Sequence, residues 1–320
     1  MTSSRNAAGQ EAATGRAGAD IAPDRIGFVA VEGGQVAVYV YGDRHDETVL
    51  AVNGGPGVGS RYLRGAAARL ARRGWRVVIH DQLGTGASDK PDDPALWTLR
   101  RYVAELEAVR RSESDGPVHL WGHSWGGMLG IEYVLTHPGA ARSLVLSNTS
   151  ADTASHLAEI RRLLGALGAE TLAMIDRHER EGTTDHIEYR AASTLFYARH
   201  SARSERTAEA EGREVNMQIQ EALWGRSEFS ATGELAGWSR LDDLRRLDLP
   251  CLVLVGAFDY TTPHSAGLMQ ARLPDARLVV FPDSGHAPFV DEPEAYFGEI
   301  DRFLRGVRSR AGRADQQSGR

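Results

Sequence analysis

The order of the apolar segments predicts an α/β fold, in which a mostly parallel, doubly wound sheet is covered by helices on both faces. Strand-type and helix-type patterns alternate from residue 48 to residue 147, and the alternation resumes after residue 250. Between these stretches, residues 150–243 are charged, with helical patterns and no clear strand. These observations predict one α/β core that is interrupted by an inserted helical cap.

The N-terminal segment lacks apolar periodicity, and residues 1–24 are predicted to be a disordered tail. Two strand-type runs follow, at Ile26–Val31 and Gln35–Tyr41. The intervening Glu32-Gly33-Gly34 is a turn signal, so the two runs are predicted to pair as a hairpin.

The first part of the core is assigned to residues 25–149, where strands and helices alternate after the hairpin. The predicted strands are Thr48–Asn53, Trp75–Asp81, Val118–Trp121 and Ser143–Ser147, and the predicted helices are Tyr62–Arg73, Leu99–Arg111 and Trp125–Thr136. Strands joined by such helical crossovers run parallel, and their C-terminal ends meet at one edge of the sheet, where ligands bind.

The second part of the core is assigned to residues 244–308, after the cap at 150–243. Its predicted elements are the strands Cys251–Val255 and Arg277–Phe281 and the helices Pro263–Leu273 and Ala295–Val307. Residues 309–320 are predicted to be a second disordered tail. A cap inserted after the strand at 143–147 is expected to lie over the strand ends.

Composition excludes several classes of function. The 320 residues carry a net charge of −6, so the chain lacks the basic surface that nucleic-acid binding requires. No apolar segment is long enough to span a bilayer or to act as a signal peptide, so a cytoplasmic location is expected. A single cysteine, Cys251, excludes an intrachain disulfide. No spacing typical of a metal, dinucleotide or phosphate-loop site occurs, so no cofactor and no metal are expected. The oligomeric state stays open.

The segment Gly122-His-Ser-Trp-Gly126 is the strongest functional signal. It follows an apolar strand and opens a helix, which is the arrangement of a nucleophile elbow. The two glycines are expected because a Cβ at either position would clash in so tight a turn. Ser124 is therefore the predicted nucleophile, and the adjacent His123 is predicted to be structural.

A serine nucleophile needs a base and an acid that orients the base, and in this fold they follow later in the chain, at other strand ends. Asp259 and His286 each lie one short loop past a predicted strand. Two other acids of the chain are alternatives. Asp283 is too near His286 in the same loop to reach its far ring nitrogen easily, and Asp152 would serve only in a rearranged site. Asp259 is favoured.

The tetrahedral intermediate of acyl transfer needs two N–H donors for its oxyanion. The backbone N–H of Trp125, which follows the nucleophile, is the first candidate. The second is expected from the glycine-rich loop Asn53-Gly-Gly-Pro-Gly57, and Gly55 is preferred because Pro56 has no N–H.

Five motifs of the chain, spread over about residues 26–306, together resemble the proline iminopeptidase (prolyl aminopeptidase) family of serine peptidases, a branch of the α/β-hydrolase superfamily. They are Asn53-Gly-Gly-Pro-Gly57, Asp81-Gln-Leu-Gly-Thr-Gly-Ala-Ser88, Gly122-His-Ser-Trp-Gly-Gly127, Gly225-Arg-Ser-Glu-Phe229, and Phe258-Asp-Tyr-Thr-Thr-Pro263 with Gly285-His286. The resemblance implies an α/β-hydrolase fold and the release of an N-terminal residue, often Pro, from short peptides or amino-acid amides.

The resemblance also implies substrate contacts from the cap. Cap glutamates of the family hold the free α-ammonium, and Glu228 matches one of them. Trp224 and Phe229 are candidates to line an apolar pocket for a proline ring, with core packing as the alternative for both. Tyr260 stands where some relatives have a second glutamate, and Asn53 replaces the usual histidine of the oxyanion loop. Candidates for a substitute second carboxylate are Glu214, Glu221 and Glu234.

Three functions are compatible with these residues. The favoured hypothesis is an exopeptidase or amidase that releases an N-terminal Pro or small apolar residue from a small peptide or amino-acid amide with a free amine. The absence of an acid at Tyr260 leaves open an ester, lactone or amide hydrolase that acts on a secondary metabolite with the same triad. A non-enzymatic binding protein is disfavoured, because such proteins usually lose a member of the triad.

Overall fold

The structure is a computed structural model that describes residues 21–201, 203 and 214–318, without the side chains of 314–318. Eight strands form one sheet in the order β1-β2-β4-β3-β5-β6-β7-β8. The strands are β1 Arg25–Val31, β2 Gly34–Tyr41, β3 Thr48–Val52, β4 Arg76–His80, β5 Val118–His123, β6 Ala141–Ser147, β7 Cys251–Gly256 and β8 Ala276–Phe281. The hairpin β1–β2 and the pair β2–β4 are antiparallel, and the other neighbours are parallel. The predicted fold is confirmed.

Helices cover both faces of the sheet. The first face packs against α1 (Arg61–Ala71) and the C-terminal helix α9 (Pro293–Ser318), through buried side chains such as Leu63 and Tyr296. The second face packs against α2 (Leu99–Glu113), α3 (Trp125–Thr136) and α8 (Pro263–Gln270). Every residue of β3 and β5 is buried, which explains their continuous apolar sequences.

The segment between β6 and β7 is the helical cap. Its described part contains α4 Thr153–Gly165, α5 Ala169–Glu181, α6 Ile187–His200 and α7 Met217–Leu223. Asp152 begins α4, because its carboxylate accepts a hydrogen bond from the backbone N–H of Ser155 (2.6 Å). An aromatic cluster that includes Phe196, Phe229 and Tyr260 forms a separate small core between cap and sheet edge.

Both predicted tails differ from expectation where the structure describes them. Residues 309–318 are helical: they continue α9 to Ser318, and Arg310 pairs with Asp275 at 2.7 Å. At the other end, the Asp24 carboxylate accepts the backbone N–H of Gly42 (2.6 Å), so residues 21–24 pack on the sheet. Residues 1–20 and 319–320 lie outside the described residues. None of the helices in the described ranges is long and apolar enough to cross a membrane.

A buried aspartate at the end of β4 fixes two loops beside the site. Asp81 accepts hydrogen bonds from Ser60 N and Oγ (both 2.7 Å), Ala87 N (2.9 Å), Tyr39 Oη (3.0 Å) and Arg64 Nη2 (2.8 Å). Burial acts to raise the pKa of Asp81, but these donors and the Arg64 charge outweigh it and lower the pKa. Asp81 therefore joins the loop after β3 to the loop after β4.

Asp81→Asn is expected to lower the free energy of unfolding by about 3 kcal/mol at pH 7, because an amide cannot accept all of these donors and leaves Arg64 without its partner. Urea denaturation measures the loss. Because the folded-state pKa of Asp81 is lowered, the stabilisation is fully present above its ordinary value of 3.8 and is lost as pH falls through the folded-state pKa. The difference between the two proteins should shrink there. Asp92→Asn, at an exposed position, is the control and should change stability by less than about 0.5 kcal/mol.

Candidate active site

Ser124 lies at the sharp turn between β5 and α3, as the elbow motif predicts. Its backbone has φ 55° and ψ −126°, a conformation that side-chain-bearing residues rarely adopt. A Cβ on Gly122 would lie 2.3 Å from the Gly126 carbonyl oxygen, and one on Gly126 would lie 2.2 Å from the Val52 carbonyl oxygen. The turn can therefore form only with glycine at both flanking positions.

The predicted acid and base are in direct contact. His286 Nδ1 lies 2.8 Å from Asp259 Oδ1, and both residues are buried. Thr261 donates its backbone N–H to Oδ1 (2.9 Å) and its hydroxyl to Oδ2 (2.5 Å). Burial acts to raise the pKa of Asp259, but attraction to His286 and the hydrogen bonds from His286 and Thr261 outweigh it and lower the pKa. Asp259 is thus held as an anion beside the imidazole.

A line of hydrogen bonds runs from the first face of the sheet to this acid. Trp121 Nε1 donates to Tyr296 Oη (3.0 Å), Tyr296 donates to Ser147 Oγ (2.8 Å), and Ser147 donates to Asn148 Oδ1 (2.8 Å). Asn148 Nδ2 then donates to Asp259 Oδ2 (2.7 Å). Asn148 has a positive φ of 51°. Its place directly after a strand end was a signal in the sequence that the prediction of the site did not use.

His123 joins the oxyanion loop to the histidine loop. Its Nε2 lies 3.0 Å from the His286 carbonyl oxygen, which can only accept, so Nε2 carries the proton. Its Nδ1 then accepts from the Tyr62 hydroxyl (2.8 Å), and that oxygen accepts the Gly54 N–H (2.6 Å). These contacts agree with the structural role expected for His123.

The two predicted oxyanion donors lie on the same cavity. Gly55 and Trp125 both line it, together with Ser124. The Gly54 N–H is used by Tyr62, whereas the N–H groups of Gly55 and Trp125 make no hydrogen bond within the described ranges. Asn53 shapes the loop by donating its amide to the carbonyl oxygens of Gly54 (2.9 Å) and Val58 (2.7 Å).

The cavity lies under the cap and opens to solvent, and the space between its lining atoms, counted together with part of that solvent, is about 430 Å³. Trp224 and Glu228 line it, as the resemblance implies for substrate contacts. Phe229 does not line it; the ring packs in the aromatic cluster, 5.0 Å from Phe196 between ring centroids. The packing alternative therefore describes Phe229 better than the substrate-contact prediction, because its side chain fills the interior of the cap.

Tyr260 has a contact that the sequence did not reveal. Its ring lines the cavity and stacks on the His286 ring, with 4.3 Å between centroids and 24° between planes. Of the carboxylates proposed to replace the missing glutamate, Glu221 pairs with Arg226 at 3.0 Å and Glu234 accepts the Leu99 N–H at 2.8 Å. Neither these two nor Glu214 lines the cavity.

One group of side chains in the described residues has the donor atoms that a metal ion could use. Ligand atoms of His178, His186 and Glu188 lie within 4.8 Å of one another in the cap, away from the cavity lining. Arg177 Nη2 lies 3.2 Å from both His178 Nε2 and Glu188 Oε2. The Arg177 guanidinium, a cation of the protein itself, thus lies against two of the three residues and pairs with Glu188.

Comparisons with known proteins identify the family of this chain. A family model described as the alpha/beta hydrolase fold matches residues 47–293. A proline iminopeptidase of Heyndrickxia coagulans is 33% identical over 286 residues, which are 88% of this chain and 99% of that protein. Another, from Lactiplantibacillus plantarum, is 32% identical over 279 residues, 85% of this chain and 97% of its own length.

Solved structures give the same result. The proline iminopeptidase of Mycobacterium smegmatis superposes with a TM-score of 0.80 at 29% identity, covering 90% of this chain and 100% of that one. A protein named VinJ superposes with a TM-score of 0.82 at 32% identity, covering 89% and 99%. The chain is an α/β-hydrolase. Within that class it belongs to the proline iminopeptidase family and is a prolyl aminopeptidase-like hydrolase.

Proposed function

We propose that the protein is a serine aminopeptidase that releases one N-terminal residue, Pro or a small residue, from short peptides or amino-acid amides. The observation that carries the proposal is the Asp259–His286 pair at the strand ends, beside a capped cavity that contains both Ser124 and Glu228. The similarity to proline iminopeptidases supports the substrate class.

In the first step, His286 Nε2 takes the proton of the Ser124 hydroxyl while Oγ bonds to the substrate carbonyl carbon. The negative charge that develops on the carbonyl oxygen is stabilised by the N–H groups of Gly55 and Trp125. Asp259 fixes the proton of the imidazole on Nδ1 and stabilises the imidazolium. His286 then gives the proton to the leaving amine, the C–N bond breaks, and an aminoacyl ester of Ser124 remains.

Water completes the reaction by the same route in reverse. His286 takes a proton from a water molecule as its oxygen attacks the ester carbonyl, and returns the proton to Ser124 Oγ as the amino acid leaves. The Tyr260 ring keeps the imidazole plane in place through both halves, because the stacked contact restricts rotation of the side chain.

Glu228 is proposed to bind the α-ammonium of the substrate. A buried ammonium needs a paired charge, and Glu228 is a partly buried carboxylate on the cavity wall. Asp152 also lines the cavity, but its Oδ1 is used to begin α4. In this proposal, one carboxylate, that of Glu228, recognises the free α-ammonium of the substrate.

The ester, lactone or amide hydrolase is the second candidate. It is favoured by one observation, the aromatic Tyr260 where a second anchoring acid would be expected. The two candidates differ in their need for a free substrate amine.

Glu228→Gln is expected to lower kcat/KM for prolyl and alanyl p-nitroanilides by about 10²-fold, because the ammonium loses its charged partner. Hydrolysis of p-nitrophenyl acetate, which has no amine, should change by less than about twofold, since the variant keeps the shape of the side chain. Glu221→Gln is the matched control: it removes an exposed carboxylate that is paired with Arg226 nearby.

The wild-type enzyme separates the two candidate functions directly. Acetylation of the substrate amine should abolish anilide cleavage. Equal turnover of the free and acetylated anilides would reject the aminopeptidase and favour the second candidate.

A further inference from the structure

The cavity wall contains three polar atoms that have no hydrogen-bond partner within the described part of the chain. They are Thr149 Oγ1, Thr153 Oγ1 and His156 Nδ1. All three residues line the cavity with Ser124, and their exposed fractions are 3%, 1% and 6%. A buried polar atom without a partner costs free energy, and such atoms are few in folded proteins.

The neighbouring polar residues of the same wall are satisfied. Asn148 donates to Asp259, Ser150 Oγ donates to the backbone oxygen of Asp152 (3.0 Å), and the Asp152 carboxylate accepts from the start of α4. The unpaired atoms of the lining therefore all belong to the segment 149–156, which includes the start of α4. Thr153 and His156 lie about one turn apart on the same face of α4.

The charges around this part of the wall restrict what it can bind. Burial is the main cause that lowers the pKa of His156 to about 4, so its ring is neutral at neutral pH. The carboxylates of Asp152 and Glu228 line the same cavity. An anionic group bound here would therefore face two carboxylates, and no lysine or arginine among the lining residues would balance its charge. A neutral group that both donates and accepts hydrogen bonds fits two hydroxyls and an imidazole.

We propose that Thr149, Thr153 and His156 form a hydrogen-bonding subsite for the side chain of the residue that is released, and that this subsite selects a hydroxyl or carboxamide side chain over an apolar one of the same shape. The inference rests on the proposed function, which places the substrate carbonyl at Ser124 and its ammonium at Glu228. The side chain of a single released residue then faces the remaining wall of the cavity.

Threonyl and valyl p-nitroanilides test the subsite, because the two side chains have nearly the same shape and differ in one hydroxyl. The wild-type enzyme is expected to prefer the threonyl substrate by about 10-fold or more in kcat/KM, since a site with unpaired polar groups rejects an analogue that cannot bond to them. Thr153→Val should lower that ratio about 10-fold. Thr153→Ser keeps the hydroxyl and should retain the ratio to within about threefold.

Equal kcat/KM for the two substrates in the wild-type enzyme would overturn the proposal, as would equal losses on both substrates in Thr153→Val. Either result would mean that the three atoms are satisfied by buried water. If Thr153→Val does not fold, as judged by thermal denaturation, Thr149→Val gives the same ratio test. Failure of the proposed function looks different: the wild-type enzyme would then cleave no aminoacyl anilide, or would cleave acetylated ones equally well.

Discussion

Ser124→Ala is expected to lower kcat/KM for aminoacyl anilides by about 10⁵-fold or more, because no other group can form the acyl-enzyme ester. The residual rate should come from the oxyanion donors Gly55 and Trp125 and from substrate binding. A fluorophosphonate probe should label the wild-type enzyme at Ser124 and leave the variant unlabelled. Mass spectrometry of the labelled peptide identifies the site.

The backbone conformation at position 124 allows the wild type and Ser124→Ala to be compared without a difference in folding. Alanine at φ 55° is disfavoured to about the same degree as serine, so the variant should keep the fold. Thermal denaturation of both proteins checks this. Ser112→Ala, at an exposed position on α2, is the labelling control and should react like the wild type. Labelling of the Ser124→Ala protein at another serine, with turnover above one per cent, would contradict the assigned nucleophile.

Asp259→Asn is expected to lower kcat by about 10⁴-fold with a small change in KM. The described groups that contact this carboxylate all donate hydrogen bonds to it. They are the N–H and hydroxyl of Thr261, Asn148 Nδ2 and His286 Nδ1. An amide must turn its own N–H₂ group toward one side. Facing His286, it would favour the tautomer with the proton on Nε2, which cannot accept the serine proton. With its N–H₂ group facing Asn148, the amide would oppose the Asn148 N–H₂ group, which can only donate.

The control is Asp283→Asn, which changes the other acid of the histidine loop. The Asp283 side chain is exposed, and its backbone N–H donates to Glu292 (3.0 Å). Steady-state kinetics should show a change of less than about twofold. A large loss in Asp283→Asn together with near-normal activity in Asp259→Asn would show that the acid had been assigned to the wrong residue.

The core and the Asp259–His286 contact were predictable because their signals are local. Parallel strands of alternating βαβ units end at one edge, so polar residues one loop past Cys251–Gly256 and Ala276–Phe281 had to lie near each other. Glycines on both sides of Ser124 marked the turn for a steric reason that the structure confirms. The helical character of the cap followed from its periodicity in the same way.

The contacts that hold the catalytic side chains in place were less predictable, because they join residues that are distant in sequence. Asn148 and Asp259 are 111 positions apart, and the stack of Tyr260 on His286 depends on how two loops pack. The error at residues 309–318 has a different origin. Their sequence lacks an apolar stripe, and the helix there continues from the packed part of α9, with Arg310 paired to Asp275, which composition does not reveal.

The line of donors from Trp121 to Asp259 has a consequence for how the enzyme can be altered. Each member donates to the next, so every hydrogen bond in the line polarises the following one toward the carboxylate, and burial of the members keeps water from screening them. Tyr296 lies in the first turn of the C-terminal helix, which thereby contributes to the electrostatic environment of a residue it does not touch. Shortening that helix from its free end removes only docking contacts, whereas a change at its first turn alters the chemistry.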